Sequence, residues 1–274
     1  MSKAEIIGIK RHCMGSDGQG VTTLVAFHGC LLRCRYCLNP QCHSSFDPKR
    51  EMSSEQLMKI LKKDELYFIA TKGGVTFGGG EPLIKSEFIT EVLSLDAKRW
   101  HITLETSLHA ERNHLERLLP WIDEYVVDVK DMSNKIYQSY TGCNNDKLRS
   151  NLEYLIEMGR AEQIVCRLPL IPGYNAESDR QRSEDELIEM GITRFERFTY
   201  IKREYDTLIE GYSEDGNALA GLPFYIHERE RKTLTLEDVR EHKEKKKAEK
   251  TFWEKLRNDA GHFMTKGIII DEDE

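Results

Sequence analysis

The stretch Gly29 to Pro40, GCLLRCRYCLNP, sets three thiols, Cys30, Cys34 and Cys37, in a C-x3-C-x2-C run. It follows TTLVAFHG, which begins at Thr22 and is β-branched and apolar enough for a buried strand, so the thiols are expected on the loop at that strand's C-terminal end. Iron-sulfur clusters are held by cysteine thiolates, and a cubane normally takes one for each of its four irons. Three close ligands leave one iron open, and an open position separates a catalytic metal site from a closed structural one. The competing reading is a zinc knuckle, for which Cys42 or His43 could supply the fourth ligand.

Composition agrees with a globular catalytic domain. The 274 residues are 39% hydrophobic and 32% charged, enough to bury a full core in one barrel-type domain. A formal net charge of -7 and a pI near 5.8 argue against a nucleic-acid binder, which usually carries a basic excess. No apolar window approaches the ~20 residues of a membrane span, so no membrane association and a cytoplasmic location are expected. Seven cysteines, an odd number with no signal peptide ahead of them, fit a reducing compartment and a metal role better than a disulfide framework.

Along the chain, strand-like and helical patterns alternate. Glu5 to Lys10 reads as a short edge strand, and Ser53 opens a helix with Leu57, Ile60 and Leu61 on one side. GGVTFGGGEPL, Gly73 to Leu83, reads as a buried strand over Val75 to Phe77 ending in a glycine loop. His101 to Glu105 and Glu124 to Val129 read as strands, with a helix over Ala110 to Leu119 between them. The next helix has Asn145 or Asp146 as its cap and Leu148, Leu152, Leu155 and Ile156 as its buried stripe. A strand from Gln163, a helix around Glu184 to Met190 and a strand from Glu196 follow. Leu234 to Leu256, dense in Glu, Lys and Arg, reads as a long solvated helix with Phe252, Trp253 and Leu256 for docking; beyond it lie an apolar Gly267 to Ile270 and a DEDE end.

The thiol run, with aromatic Tyr36 before its last cysteine, resembles the signature of the radical S-adenosylmethionine (SAM) enzymes. GGEP, Gly79 to Pro82, resembles that family's GGE motif, where backbone meets the cofactor's amino group. Several longer stretches resemble the activating enzymes of glycyl radical enzymes: SDGQG, with Gln19 for a proline; GGVTFGGGEP, with Gly78 for the usual serine; YTGCNN from Tyr140; and RLPLIPGYN from Arg167. Glu105-Thr106-Ser107-Leu108 stands where the family reads DTSG, and Asp128-Val129-Lys130 matches its DxK. Ile201 takes the place of a nucleotide-binding histidine, with Tyr200 or Lys202 as neighbours that could compensate. Cys13, Cys42, Cys143 and Cys166 show no ferredoxin-like spacing, as in a short form without auxiliary clusters.

The resemblance implies a partial (β/α)6 TIM-like barrel over residues 1–214 with a charged helical extension over 215–274. It implies one 4Fe-4S cluster on Cys30, Cys34 and Cys37, and S-adenosylmethionine held by Tyr36, Gly79, Gly80, Glu81, Glu105, Thr106, Asp128, Lys130 and Arg167. A monovalent cation is implied at Glu105, Thr106 and Asp128. The implied activity is abstraction of a glycine Cα hydrogen on a partner glycyl radical enzyme, with a flavodoxin or ferredoxin-type electron donor. A radical SAM enzyme acting on a peptide or small molecule, and a metal-stabilised binding protein without chemistry, remain the alternatives.

Overall fold

The computed structural model describes residues 2–14, 18–43, 49–97, 99–202 and 224–265. The strands are β1 (Lys3–Met14), β2 (Val21–Phe27), β3 (Arg50–Ser53), β4 (Gly74–Gly79), β5 (His101–Thr106), β6 (Glu124–Asp128), β7 (Ile164–Leu170), β8 (Arg194–Lys202) and β9 (Phe224–Thr233). The helices are α1 (Ser54–Leu61), α2 (Glu65–Thr71), α3 (Ser86–Asp96), α4 (Arg112–Leu118), α5 (Asn134–Thr141), α6 (Asp146–Glu157), α7 (Glu177–Met190) and α8 (Leu236–Thr265).

The strands make one sheet in the order β3-β1-β2-β4-β5-β6-β7-β8-β9. Six neighbours, β2 and β4 to β8, run parallel, which puts their C-terminal ends along one rim. Chains that alternate strand and helix build this arrangement, because each parallel return needs a crossover. The sheet is not closed, as expected for a partial barrel. Val25, Phe27, Val75, Phe77, Leu104, Tyr125, Val127 and Leu168 are buried along the parallel strands, and Leu57, Leu61, Ile89, Val92, Leu115 and Leu152 cover them from the helices. α1 begins at a capping box in which Ser53 and Gln56 satisfy each other's backbone N–H groups, the end that the S-x-x-Q pattern announces.

Three features differ from the sequence reading. β1 is not an edge: it pairs antiparallel with both β2 and β3, and the outer place falls to REMS, a four-residue strand too polar to show. Asn145 takes the N-cap position of α6, as expected, but its side chain makes no capping bond; its Nδ2 donates instead to the Met132 carbonyl at 2.8 Å. Helix α5 has no counterpart in that reading, although Ile136, Tyr137 and Tyr140 fall at helical spacing and Gly142 closes it with a left-handed φ of 80°.

Two compact units are present, Met1–Lys232 and Thr233–Glu274. In the second, Thr235 and Asp238 cap the start of α8 reciprocally, and Phe252 is exposed. The expected boundary at 214/215, the start of the SDGQG segment over Gly15–Asp17, the side chains of Ile201, Lys202, Trp253 and Leu256, and the tail from Gly267 lie outside the described residues. Among the described residues no helix is long and apolar enough to cross a membrane.

Candidate active site

The thiol loop leaves β2 at the C-terminal rim and is pinned from three sides. Arg33 and Arg35 donate their N–H groups to the Thr141 and Tyr140 carbonyls at 2.9 and 3.1 Å, so the loop satisfies carbonyls that the end of α5 leaves open. Gly29 N–H donates to the Cys42 carbonyl at 2.9 Å, and Glu81 N–H to the Gly29 carbonyl at 2.8 Å. Asn39 Nδ2 reaches the Gly79 carbonyl at 3.1 Å.

This zipper explains the glycines of GGEP. Gly79 has a φ of +93°, and a Cβ on Gly80 would stand 2.1 Å from the Gly29 carbonyl oxygen. The pair is required for the β4 loop to lie directly against the cysteine loop. The Glu81 carboxylate, 1% exposed, faces the protein: it accepts from Ser107 N–H at 2.9 Å, from Leu83 N–H at 3.2 Å, and from the Thr106 and Ser107 hydroxyls. Burial raises its pKa, and those donors oppose the shift. Glu81 therefore ties the ends of β4 and β5 together through its side chain.

Cys30, Cys34 and Cys37 are free and partly buried. Burial pushes the Cys34 thiol up to about 12, whereas the Cys42 thiol, shared between Cys37 and Cys30, brings Cys37 down to about 6 and lowers Cys30. Three sulfur donors on one pinned loop, on the same rim as the ends of the parallel strands, fit a thiolate-held iron-sulfur cluster. Cys42 returns to them through a 3-10 turn, Pro40–His43, and is itself 1% exposed.

Around the loop stand the other expected residues. Tyr36 donates its hydroxyl to the Pro172 carbonyl at 3.0 Å, and its ring meets Tyr174, Tyr140 and Tyr200 edge-on at 5.6, 6.0 and 6.2 Å. Tyr200, a candidate to compensate for Ile201, is thus beside Tyr36, with Cys34 packed on the same cluster. Lys130, buried and at a left-handed φ of 63°, holds Asp128 at 3.0 Å. Burial pulls its ammonium pKa down, but Asp128 and the neighbouring phenols and thiol hold it well above the ordinary value.

Arg167 is the centre of a charged network. Its Nη2 lies 2.8 Å from Glu105 and its Nε 3.0 Å from Glu196, while Arg231 holds the other Glu196 oxygen at 3.0 Å. Glu196 is 1% exposed and was missed from sequence, since only the register of β7 on β8 sets it opposite Arg167. The structure gives no support to a monovalent cation at Glu105, Thr106 and Asp128. Arg167 and Lys130 already supply positive charge to the two carboxylates, and the Thr106 hydroxyl donates to Glu81.

Two departures from the family pattern prove to be one. A Cβ on Gly78 would lie 3.1 Å from Glu105 Oε2 and 3.3 Å from its Cβ, so the longer acid occupies the room that a serine would take. Gly78→Ser should destabilise the fold by about 1–3 kcal/mol through overpacking. Adding Glu105→Asp should recover part of that loss; additive single effects in a double-mutant cycle of thermal melts would refute the pairing.

The Radical SAM superfamily model matches residues 24–181, more than half of the chain and inclusive of the thiol loop, the β4 glycines and Arg167. The pyruvate formate-lyase-activating enzyme of Staphylococcus aureus is 31% identical over 182 residues, covering 64% of this chain and 69% of that enzyme. Among solved structures, Streptococcus suis SuiB bound to S-adenosylmethionine superposes with a TM-score of 0.51 at 19% identity, over 84% of this chain and 49% of SuiB, and so supports the fold. A C-x3-C-x2-C loop on the rim of an open parallel sheet, inside a match of that length, places this chain in the radical SAM superfamily.

Proposed function

We propose that this enzyme, similar to pyruvate formate-lyase-activating enzyme, installs a radical on a glycine of a partner glycyl radical enzyme. The observation that carries the reading is the 31% identity to that activating enzyme over 182 residues. Cys30, Cys34 and Cys37 would hold a 4Fe-4S cluster, which the family implies together with S-adenosylmethionine. Bound there, the pair supplies one-electron cleavage of the sulfonium and with it a hydrogen-abstracting 5'-deoxyadenosyl group, chemistry that belongs to the cofactors.

The chain's own part is positioning and exclusion of water. Tyr36 and the tyrosines around it offer a rigid aromatic wall, and the Gly79-Gly80 backbone, backed by the Glu81 clamp, fixes the bend beside the loop. Asp128 with Lys130, and Glu105 and Thr106 at the end of β5, line the neighbouring strand ends. Arg167 uses two of its five N–H donors on Glu105 and Glu196, so it retains donors for the cofactor carboxylate. A sheet that does not close suits a protein loop as substrate, which needs a lateral opening. Glycine suits as target because its Cα radical is stabilised by the flanking amides and no side chain obstructs approach. We assign this chemistry to residues 1–214, partner contacts to 215–274, the electron to a flavodoxin or ferredoxin-type donor, and the whole to the cytoplasm.

The test is anaerobic reconstitution with iron and sulfide, followed by dithionite and S-adenosylmethionine. One cluster per chain with formation of methionine and 5'-deoxyadenosine is expected. Stoichiometric iron without cleavage would overturn the reading, and a modified peptide or metabolite as the product would move it to another radical SAM activity.

A further inference from the structure

The thiol loop carries more ligands than a three-cysteine cluster uses. Cys37, Cys42 and His43 bring one ligand atom each to within 4.8 Å of one another. A tetrahedral zinc with Zn–S bonds of about 2.3 Å has its sulfurs about 3.8 Å apart, a spacing compatible with a mononuclear site. The backbone holds this arrangement without help from a metal: Cys42 N–H donates to the Asn39 carbonyl at 3.0 Å, and Gly29 N–H donates to the Cys42 carbonyl. Arg33 Nη1 stands 2.6 Å from His43 Nδ1, and since a guanidinium only donates, the ring is a neutral imidazole with Nδ1 as acceptor. That is the form in which histidine binds metals. Arg33 keeps its bonds to the Cys30 and Leu32 carbonyls if it releases the ring, so the loop need not unfold.

We propose that the loop has a second, mutually exclusive metal state, in which one zinc ion is held by Cys37, Cys42 and His43 when no cluster is present. This goes beyond the activity assigned above and depends on it only for the competing use of Cys37. The two states share Cys37 and differ in their other members: the cluster takes Cys30 and Cys34, whereas zinc takes Cys42 and His43. On binding, each coordinating thiol releases its proton to solvent, and no electron is exchanged, because zinc has no redox chemistry. Zinc-loaded protein is therefore unable to deliver an electron and is closed to cluster assembly until the ion is removed.

The experiment uses the full chain made cluster-free with chelator, titrated with zinc against a chromophoric competitor and with cobalt(II) to count thiolates by absorption. One zinc per chain is expected, with a two-thiolate cobalt spectrum. Cys42→Ser and His43→Ala should each weaken zinc by on the order of a hundredfold, and Cys34→Ser should leave it nearly unchanged. Cys42→Ser should still rebuild its cluster and cleave S-adenosylmethionine, which shows that it is folded. After one equivalent of zinc it should also rebuild the cluster faster than the unsubstituted protein does. Absence of stoichiometric zinc, or equal weakening by Cys34→Ser and Cys42→Ser, would overturn the second state; loss of cofactor cleavage in the unsubstituted, zinc-free protein would instead count against the assigned activity.

Discussion

Cys34→Ala is expected to yield a folded protein that retains far less than one cluster per chain and cleaves no S-adenosylmethionine above background. Cys34 is the most desolvated of the three thiols, and burial keeps it protonated up to about 12, so only a metal displaces its proton near neutral pH. It packs on the Tyr140, Ile171, Phe198 and Tyr200 cluster. Iron and sulfide analysis with product chromatography checks both parts; full iron loading and full cleavage in the variant would exclude Cys34 as a ligand.

Arg167→Ala should be the most damaging substitution outside the thiols. Both partners of the guanidinium are poorly exposed carboxylates, 20% for Glu105 and 1% for Glu196, and removing the cation leaves negative charge in a dry setting. Breaking a buried pair from one side costs about 3–5 kcal/mol. For a unit of this size that lowers the melting temperature by roughly 6–20 °C. Cofactor affinity should fall as well, by roughly ten- to hundredfold for a lost charge-assisted hydrogen bond. Arg167→Lys, which keeps the charge but not the fork, should fall between. Glu196→Gln tests the structural share alone, since it leaves Arg167 in place with Glu105. An unchanged melting temperature in Arg167→Ala would contradict the network.

The parts of this site that the sequence made legible are those fixed within a few residues of one another. The spacing of Cys30, Cys34 and Cys37 and the run of Gly78 to Glu81 are local, and both are found on the rim. The parts that escaped depend on register or on a turn. Glu196 is 29 residues from Arg167 along the chain, and nothing in either segment announces that they are cross-strand partners. The inward aim of the Glu81 carboxylate follows from where β5 ends, not from GGEP itself. Gly79 and Gly80 were recognised as places of close approach, but the described approach is that of one loop to another. α5 is only eight residues long, too short for its apolar spacing to stand out, although the carbonyls at its end receive the cysteine loop.

The most direct test of the central claim is electron paramagnetic resonance on the protein mixed anaerobically with a candidate partner glycyl radical enzyme, reductant and S-adenosylmethionine. The account predicts a persistent doublet on the partner, formed only with the cluster-loaded protein, that collapses when the partner's glycines are deuterated at Cα. Cofactor cleavage at full rate with no radical on any such partner would contradict it.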